Sequence, residues 1–115
     1  ADAAAVRIFR QGLEYGRDPL VANLLAWILA TTSDAALRDG HAALALVESN
    51  VRNEADEPTA LSTFAAACAE VGRFAEAVSA AERALALVRA AGDPAAEALL
   101  QRRLDAYRAG RPWRQ

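Results

Sequence analysis

Apolar residues recur every three or four positions along most of the chain, which is the period of an amphipathic helix. The pattern is clearest in residues 58–91, where two apolar stripes flank a turn at residues 71–73. The first stripe contains Leu61, Phe64, Ala65 and Cys68, and the second contains Ala77, Ala81, Ala84, Leu85 and Val88. We therefore predict two antiparallel helices here. Small residues within both stripes would let the two backbones approach closely.

Four further helices are predicted from the same period, over residues 3–15, 19–31, 40–51 and 94–109, with no strand signal. Asp18-Pro19 and Asp93-Pro94 each combine an N-cap residue with a proline at the first helical position. Asp39 and the pair Asp56-Glu57 are the expected caps of two other helices. Glycines at positions 16, 72, 92 and 110 stand where left-handed helix ends are expected.

The helices recur along the chain as a repeating unit. Residues 77, 81, 84 and 85 have counterparts 34 residues earlier at Ala43, Val47, Asn50 and Val51, and again at Ala5, Phe9, Gly12 and Leu13. Phe64, Ala65 and Cys68 match Leu25, Ala26 and Leu29. The offset of this second match is 39 residues and not 34, because the stretch 32–39 contains five extra residues. Without this insertion, both helices of the unit repeat every 34 residues.

The repeat resembles the tetratricopeptide repeat family. In residues 58–91, Phe64, Ala65 and Cys68 match the family's leucine, glycine and tyrosine, Gly72 and Phe74 match its turn residues, and Ala77 and Ala84 match its two alanines. Leu61 stands where the family has tryptophan, and Ala81 where it has a larger aromatic residue. The resemblance implies an all-α fold, a right-handed α-solenoid of antiparallel helix pairs with about six helices.

The resemblance also implies how a single domain, residues 1–115, is organised. Residues 3–16 would be the second helix of an upstream repeat, 19–52 a repeat with a turn insertion, 58–91 a full repeat, 94–109 a capping helix and 110–115 a tail. We therefore expect residues 1–115 to be the C-terminal end of a longer repeat array.

Charge argues against a nucleic-acid partner, because 13 arginines and 15 acidic residues give a net charge of −2. Residues 101–115 nevertheless carry five arginines and one aspartate. This excess is explained either by a solvated final helix or by a docking patch for an acidic partner. No apolar run approaches the length of a membrane span, so we expect no membrane insertion and favour a cytoplasmic location.

Candidate catalytic and metal-binding residues are few. Cys68 is the only cysteine and lies on an apolar stripe, which favours a buried core thiol over a nucleophile. His41 is the only histidine and has no second ligand at metal spacing, which favours a solvent-facing side chain. We therefore predict that the chain is not an enzyme and needs no cofactor.

The resemblance implies a concave groove, lined by the first helix of each pair, that binds a protein or peptide partner. The residues expected to face it are Asn23, Trp27, Thr31, Ser62, Ala66, Glu70, Gln101, Asp105 and Arg108. Trp27 is compatible with a place in the core between repeats as well as with a ligand contact. For Asn23, simple exposure to solvent would explain a polar residue at this position as well as a role in the groove would. In the family, Lys, Asn and Arg side chains form a clamp for the C-terminal carboxylate of a bound peptide. In this chain only Asn23 matches a residue of that clamp, so a chaperone-tail receptor is disfavoured.

Two other functions compete with a binding scaffold. The chain could be the terminal structural or regulatory module of a larger bacterial multidomain enzyme, without a partner-binding role of its own. Residues 3–15 could also mediate self-association, because their helix lacks its repeat partner and is expected to expose Val6, Ile8 or Phe9.

Overall fold

The computed structural model describes residues 1–16, 18–53 and 56–115, and within these ranges every regular element is an α-helix. The helices are α1 (Asp2–Leu13), α2 (Pro19–Thr31), α3 (Gly40–Asn53), α4 (Pro58–Glu70), α5 (Phe74–Ala90) and α6 (Pro94–Arg108). The predicted all-α class and the six helices are confirmed for this part of the chain. The observed helix ends lie within two residues of the predicted ends, and both ends of α2 coincide with the prediction.

Side-chain caps determine where several helices begin. Asp18 accepts a hydrogen bond from the Leu20 N–H at 2.9 Å, and Asp93 accepts one from the Ala96 N–H at 3.1 Å. Asp39 likewise accepts from the Ala42 N–H at 3.0 Å. These three predicted caps are confirmed, and each satisfies a backbone donor that has no partner within its helix.

Of the two residues predicted to cap α4, 56 and 57, only the second does so. Glu57 caps α4, since its carboxylate accepts from the N–H groups of Thr59 and Ala60 at 3.1 and 2.7 Å. Asp56 instead forms an ion pair with Arg83 of α5. This ion pair joins the residue two positions before α4 to α5.

A three-residue turn at residues 71–73 directs α5 back along α4. Gly72 has a φ of +85°, a backbone conformation that residues with a Cβ rarely adopt. The Arg73 N–H donates to the Cys68 carbonyl oxygen at 2.8 Å, so the last turn of α4 is closed by the start of the next helix. Ala65, Ala77 and Ala84 are buried in the core where the two helices pack.

Consecutive helices pack against one another, and α2 also contacts α4, so the first helices of the two pairs lie side by side. The result is a helical repeat-like stack with extents of 36 × 27 × 23 Å. The largest fully buried side chains include Leu25 and Leu29 of α2 and Leu104 and Tyr107 of α6. The apolar core therefore extends through the stack from α2 to α6.

Helix α1 packs on α2 and exposes less apolar surface than the sequence suggested. Val6 is only 4% exposed, and Phe9 is partly buried against the core. Only Ile8, 59% exposed, matches the expected patch. The reason is that α2 is apolar almost all round, which gives α1 a surface on which to bury its stripe.

Candidate functional site

Helices α2, α4 and α6 border a cavity of about 320 Å³, which we call the α2–α4–α6 cavity. Its apolar wall is built by Leu24, Trp27, Val88, Leu99 and Leu100. Its polar groups include Asn23 of α2, Ser62 of α4 and Arg103 of α6. A mostly apolar cavity with a few polar groups is the usual composition of a ligand site in a folded protein.

Asn23 is one of two buried polar residues at this cavity, the other being Thr63. It is 8% exposed, and its Oδ1 is buried without accepting a hydrogen bond from any described residue. A buried amide oxygen without a donor costs about 1–3 kcal/mol. Asn23 therefore offers a hydrogen-bond acceptor that a ligand N–H could satisfy.

The same cavity is bordered by the positively charged side chain of Arg103, which is half-buried. Its guanidinium carbon lies 4.4 Å from the centroid of the Trp27 ring and 5.8 Å from that of the Trp113 ring. Its Nε is buried without an acceptor, and no ion pair joins it to a carboxylate within the described part of the chain. Burial lowers the pKa of Arg103, because leaving water disfavours the charged form. The two indole rings supply the contacts that stabilise this cation.

The segment of residues 111–115, which we call the strap, turns back from α6 across α2 and α4. The Gln115 N–H donates to the Thr31 carbonyl oxygen at 2.9 Å, and Gln115 Nε2 donates to Thr31 Oγ1 at 3.3 Å. Arg114 Nη1 donates to Glu70 Oε2 at 2.6 Å. These contacts hold Trp113 beside Arg103.

The structure brings together some of the predicted groove residues. Asn23, Trp27 and Ser62 border the α2–α4–α6 cavity. Thr31 and Glu70 lie under the strap, where their polar groups already have partners. The roles of all five residues in partner binding stay predictions. The three at the cavity are those that the strap does not bond.

The remaining predicted residues lie outside the cavity lining. Ala66 is buried in the core. Gln101 donates to Asp105 at 3.0 Å along α6, and Arg108 pairs with Glu82 of α5 at 3.4 Å. The residues of α6 that do reach the cavity are Ala96, Leu99, Leu100 and Arg103.

Sequence reasoning missed Arg103 and Trp113. Arg103 stands one residue before Leu104 and three after Leu100, among positions that the period assigns to the core side of α6. A tryptophan in the polar segment 110–115 was a second signal, because a large aromatic side chain usually finds a surface to cover. In the structure the Trp113 ring contacts Arg103, and Arg103 in turn borders the cavity.

Cys68 is confirmed as a buried thiol in the core. Burial raises its pKa to about 11, which outweighs the opposing effect of Arg73. His41 is exposed, and no group of three or more His, Cys, Asp or Glu residues in the described ranges could hold a metal ion. None of the described helices has an apolar span long enough to cross a bilayer.

We expect native Cys68 to react with a water-soluble thiol reagent roughly a hundredfold more slowly than the same thiol in urea, since only the thiolate is nucleophilic. The pKa of about 11, against 9.0 for an unperturbed thiol, removes most of the thiolate, and burial blocks access. Stopped-flow labelling at about pH 8 measures both rates. Equal rates in the folded and unfolded chains would contradict a closed core at α4.

Comparison with known proteins adds no relative: the chain matches no family model, no curated protein and no solved structure. Function is therefore inferred from the site, where Asn23 and Arg103 each have a buried polar atom without a partner and border a cavity with an apolar wall.

Proposed function

We propose that this chain is a protein-interaction module of the tetratricopeptide type that binds an extended segment of a partner protein in the α2–α4–α6 cavity. The observation that carries the proposal is Asn23, which borders an apolar cavity and whose buried Oδ1 accepts no hydrogen bond from the described residues. Buried polar atoms are almost always paired in folded proteins. A ligand that donates to Asn23 would satisfy this oxygen.

The chemistry of the cavity describes the segment that fits it. A peptide backbone N–H is the simplest donor for Asn23. An apolar side chain would fill the space between Trp27, Leu99 and Leu100, where it would be removed from water. Arg103 would donate hydrogen bonds to a carboxylate of the ligand, because a partly desolvated guanidinium gains most from a charged acceptor. The preferred ligand is therefore an apolar residue next to an acidic one.

The surrounding charge supports the same choice. Residues 101–115 hold five arginines with only one acidic residue. Arg108 and Arg114 are paired with carboxylates of α5 and α4, and the other three, Arg102, Arg103 and Arg111, form no ion pair within the described residues. An excess of positive charge near a site attracts acidic segments and repels basic ones. The arginine-rich final helix is thus explained as the docking side for an acidic partner.

The test is selection of binders from a random displayed peptide library, followed by titration of the enriched peptides. Intrinsic fluorescence reports binding directly, since the only two tryptophans, Trp27 and Trp113, both contact Arg103. We expect enrichment of peptides with adjacent apolar and acidic residues. We also expect about a tenfold or greater loss of affinity in the double variant Asn23→Ala, Trp27→Ala, since one hydrogen bond and one aromatic contact are removed.

Two further variants sharpen this test. Ser62→Arg adds a long side chain at a half-buried position that borders the cavity, and it should block binding in the same way. Ala86→Arg, at an exposed position of α5, is the matched control and should leave affinity unchanged. Unaltered binding by the double variant and by Ser62→Arg, with helical circular dichroism preserved, would refute the cavity as the binding site.

A further inference from the structure

The strap occupies its surface as a bound peptide would. Residues 111–115 belong to no helix, and they contact α2, α4 and α6 through side chains and one backbone N–H. Gln115 supplies two hydrogen bonds, Arg114 an ion pair, and Trp113 an aromatic face. Each group meets a complementary group on the helices.

The surface below the strap has its own chemical demands. Glu70 is a carboxylate whose side chain is only 15% exposed, and such a group needs a cation. The Thr31 carbonyl lies in the last turn of α2, where backbone oxygens have no partner within the helix. Arg103 offers a cation to an aromatic ring. The surface thus recognises an aromatic residue followed by an arginine and a backbone N–H.

We propose that residues 111–115 are an intramolecular ligand of this surface, which can instead take an aromatic–arginine segment of a partner protein. This interaction lies beside the α2–α4–α6 cavity and is chemically opposite to it, because the cavity favours an acidic ligand. The two surfaces share Arg103, whose guanidinium faces both Trp27 and Trp113.

Tethering explains why the chain fills the surface with its own residues. The strap follows α6 directly, so its effective concentration at Glu70 and Thr31 is on the order of millimolar or higher. An external peptide of the same chemistry must compete with this local supply. It should therefore bind strongly only after the strap has been weakened.

The test uses the full chain with Trp113→Ser and Arg114→Ser, which we call the open variant, and a synthetic peptide of residues 110–115 with blocked ends and a fluorophore. Fluorescence anisotropy should show saturable binding to the open variant that is about tenfold or more tighter than binding to the unaltered chain. Adding Glu70→Gln to the open variant should weaken binding by about tenfold, because the arginine of the peptide loses its carboxylate. A peptide with serine in place of Trp113 and Arg114 is the control.

The open variant must keep its helical circular dichroism for this comparison. If it does not fold, the single substitution Arg114→Ser, which removes the ion pair and keeps Trp113, takes its place with the same expected order of affinities. Absence of saturable binding to a folded variant would overturn the proposal and leave the strap a structural cover. Equal binding to the unaltered and open chains would also overturn it. Peptides selected for the cavity serve as a separate reference, so loss of one activity is distinguished from loss of the other.

Discussion

We expect Ala77→Leu to lower the free energy of unfolding by about 1–3 kcal/mol. Ala77 is 0% exposed and lies in the core where α5 packs on α4. Its small side chain, with Ala65 and Ala84, lets the two helices pack closely, and a leucine would have no space without moving one helix away from the other. Equilibrium unfolding in urea, followed by far-ultraviolet circular dichroism, measures the change.

Ala86→Leu is the matched control for this prediction, because Ala86 lies on the same helix and is exposed. Leucine and alanine have similar helix propensities, so the control should change the free energy of unfolding by only a few tenths of a kcal/mol. If Ala77→Leu were as stable as this control, close packing of α4 and α5 at Ala77 would be refuted.

Local rules were enough to predict the helices, because most of the helices carry a local start or stop signal. Asp18, Asp39 and Asp93 act over two or three residues, and Gly72 acts within a single turn. None of these contacts depends on distant parts of the chain. The predicted class and helix positions were therefore obtained from residue spacing and caps.

The composition of the cavity was harder to predict, since it depends on how α6 is rotated about its axis. Leu99 and Arg103 reach the cavity, whereas the predicted Gln101 and Asp105 bond to each other along the helix. A helical pattern identifies the buried stripe but not which edge of that stripe borders a neighbouring surface. A rotation of half a turn or less exchanges one set of residues for the other.

The strap could not be predicted from periodicity at all. Its contacts join residues far apart in sequence, such as Gln115 with Thr31 and Arg114 with Glu70. Its position also explains why both interpretations of Trp27 were reasonable. The ring packs against the core and also contacts the Arg103 guanidinium, so it serves both as core and as part of the site.

Gly40→Ala is the second substitution for which we expect a large loss, about 1–3 kcal/mol in the free energy of unfolding. Gly40 begins α3 against the end of α4, and a Cβ there would lie 2.7 Å from Glu70 Cγ and 2.9 Å from Val71 Cγ1. Glu70 cannot easily move away, because Arg114 of the strap holds its carboxylate. The gain in helix propensity, at most about 1 kcal/mol, offsets only part of this overlap.

Gly12→Ala is the control, because it makes the same chemical change in α1, where the nearest atom to the new Cβ would be Val21 Cγ1 at 3.9 Å. With that ordinary contact, alanine should raise the free energy of unfolding by about 0.5–1 kcal/mol. Urea unfolding of the two variants should therefore give changes of opposite sign. A stabilising Gly40→Ala would show that α3 can move away from α4 at little cost, and the Glu70–Arg114 contact would then not fix that end of the stack.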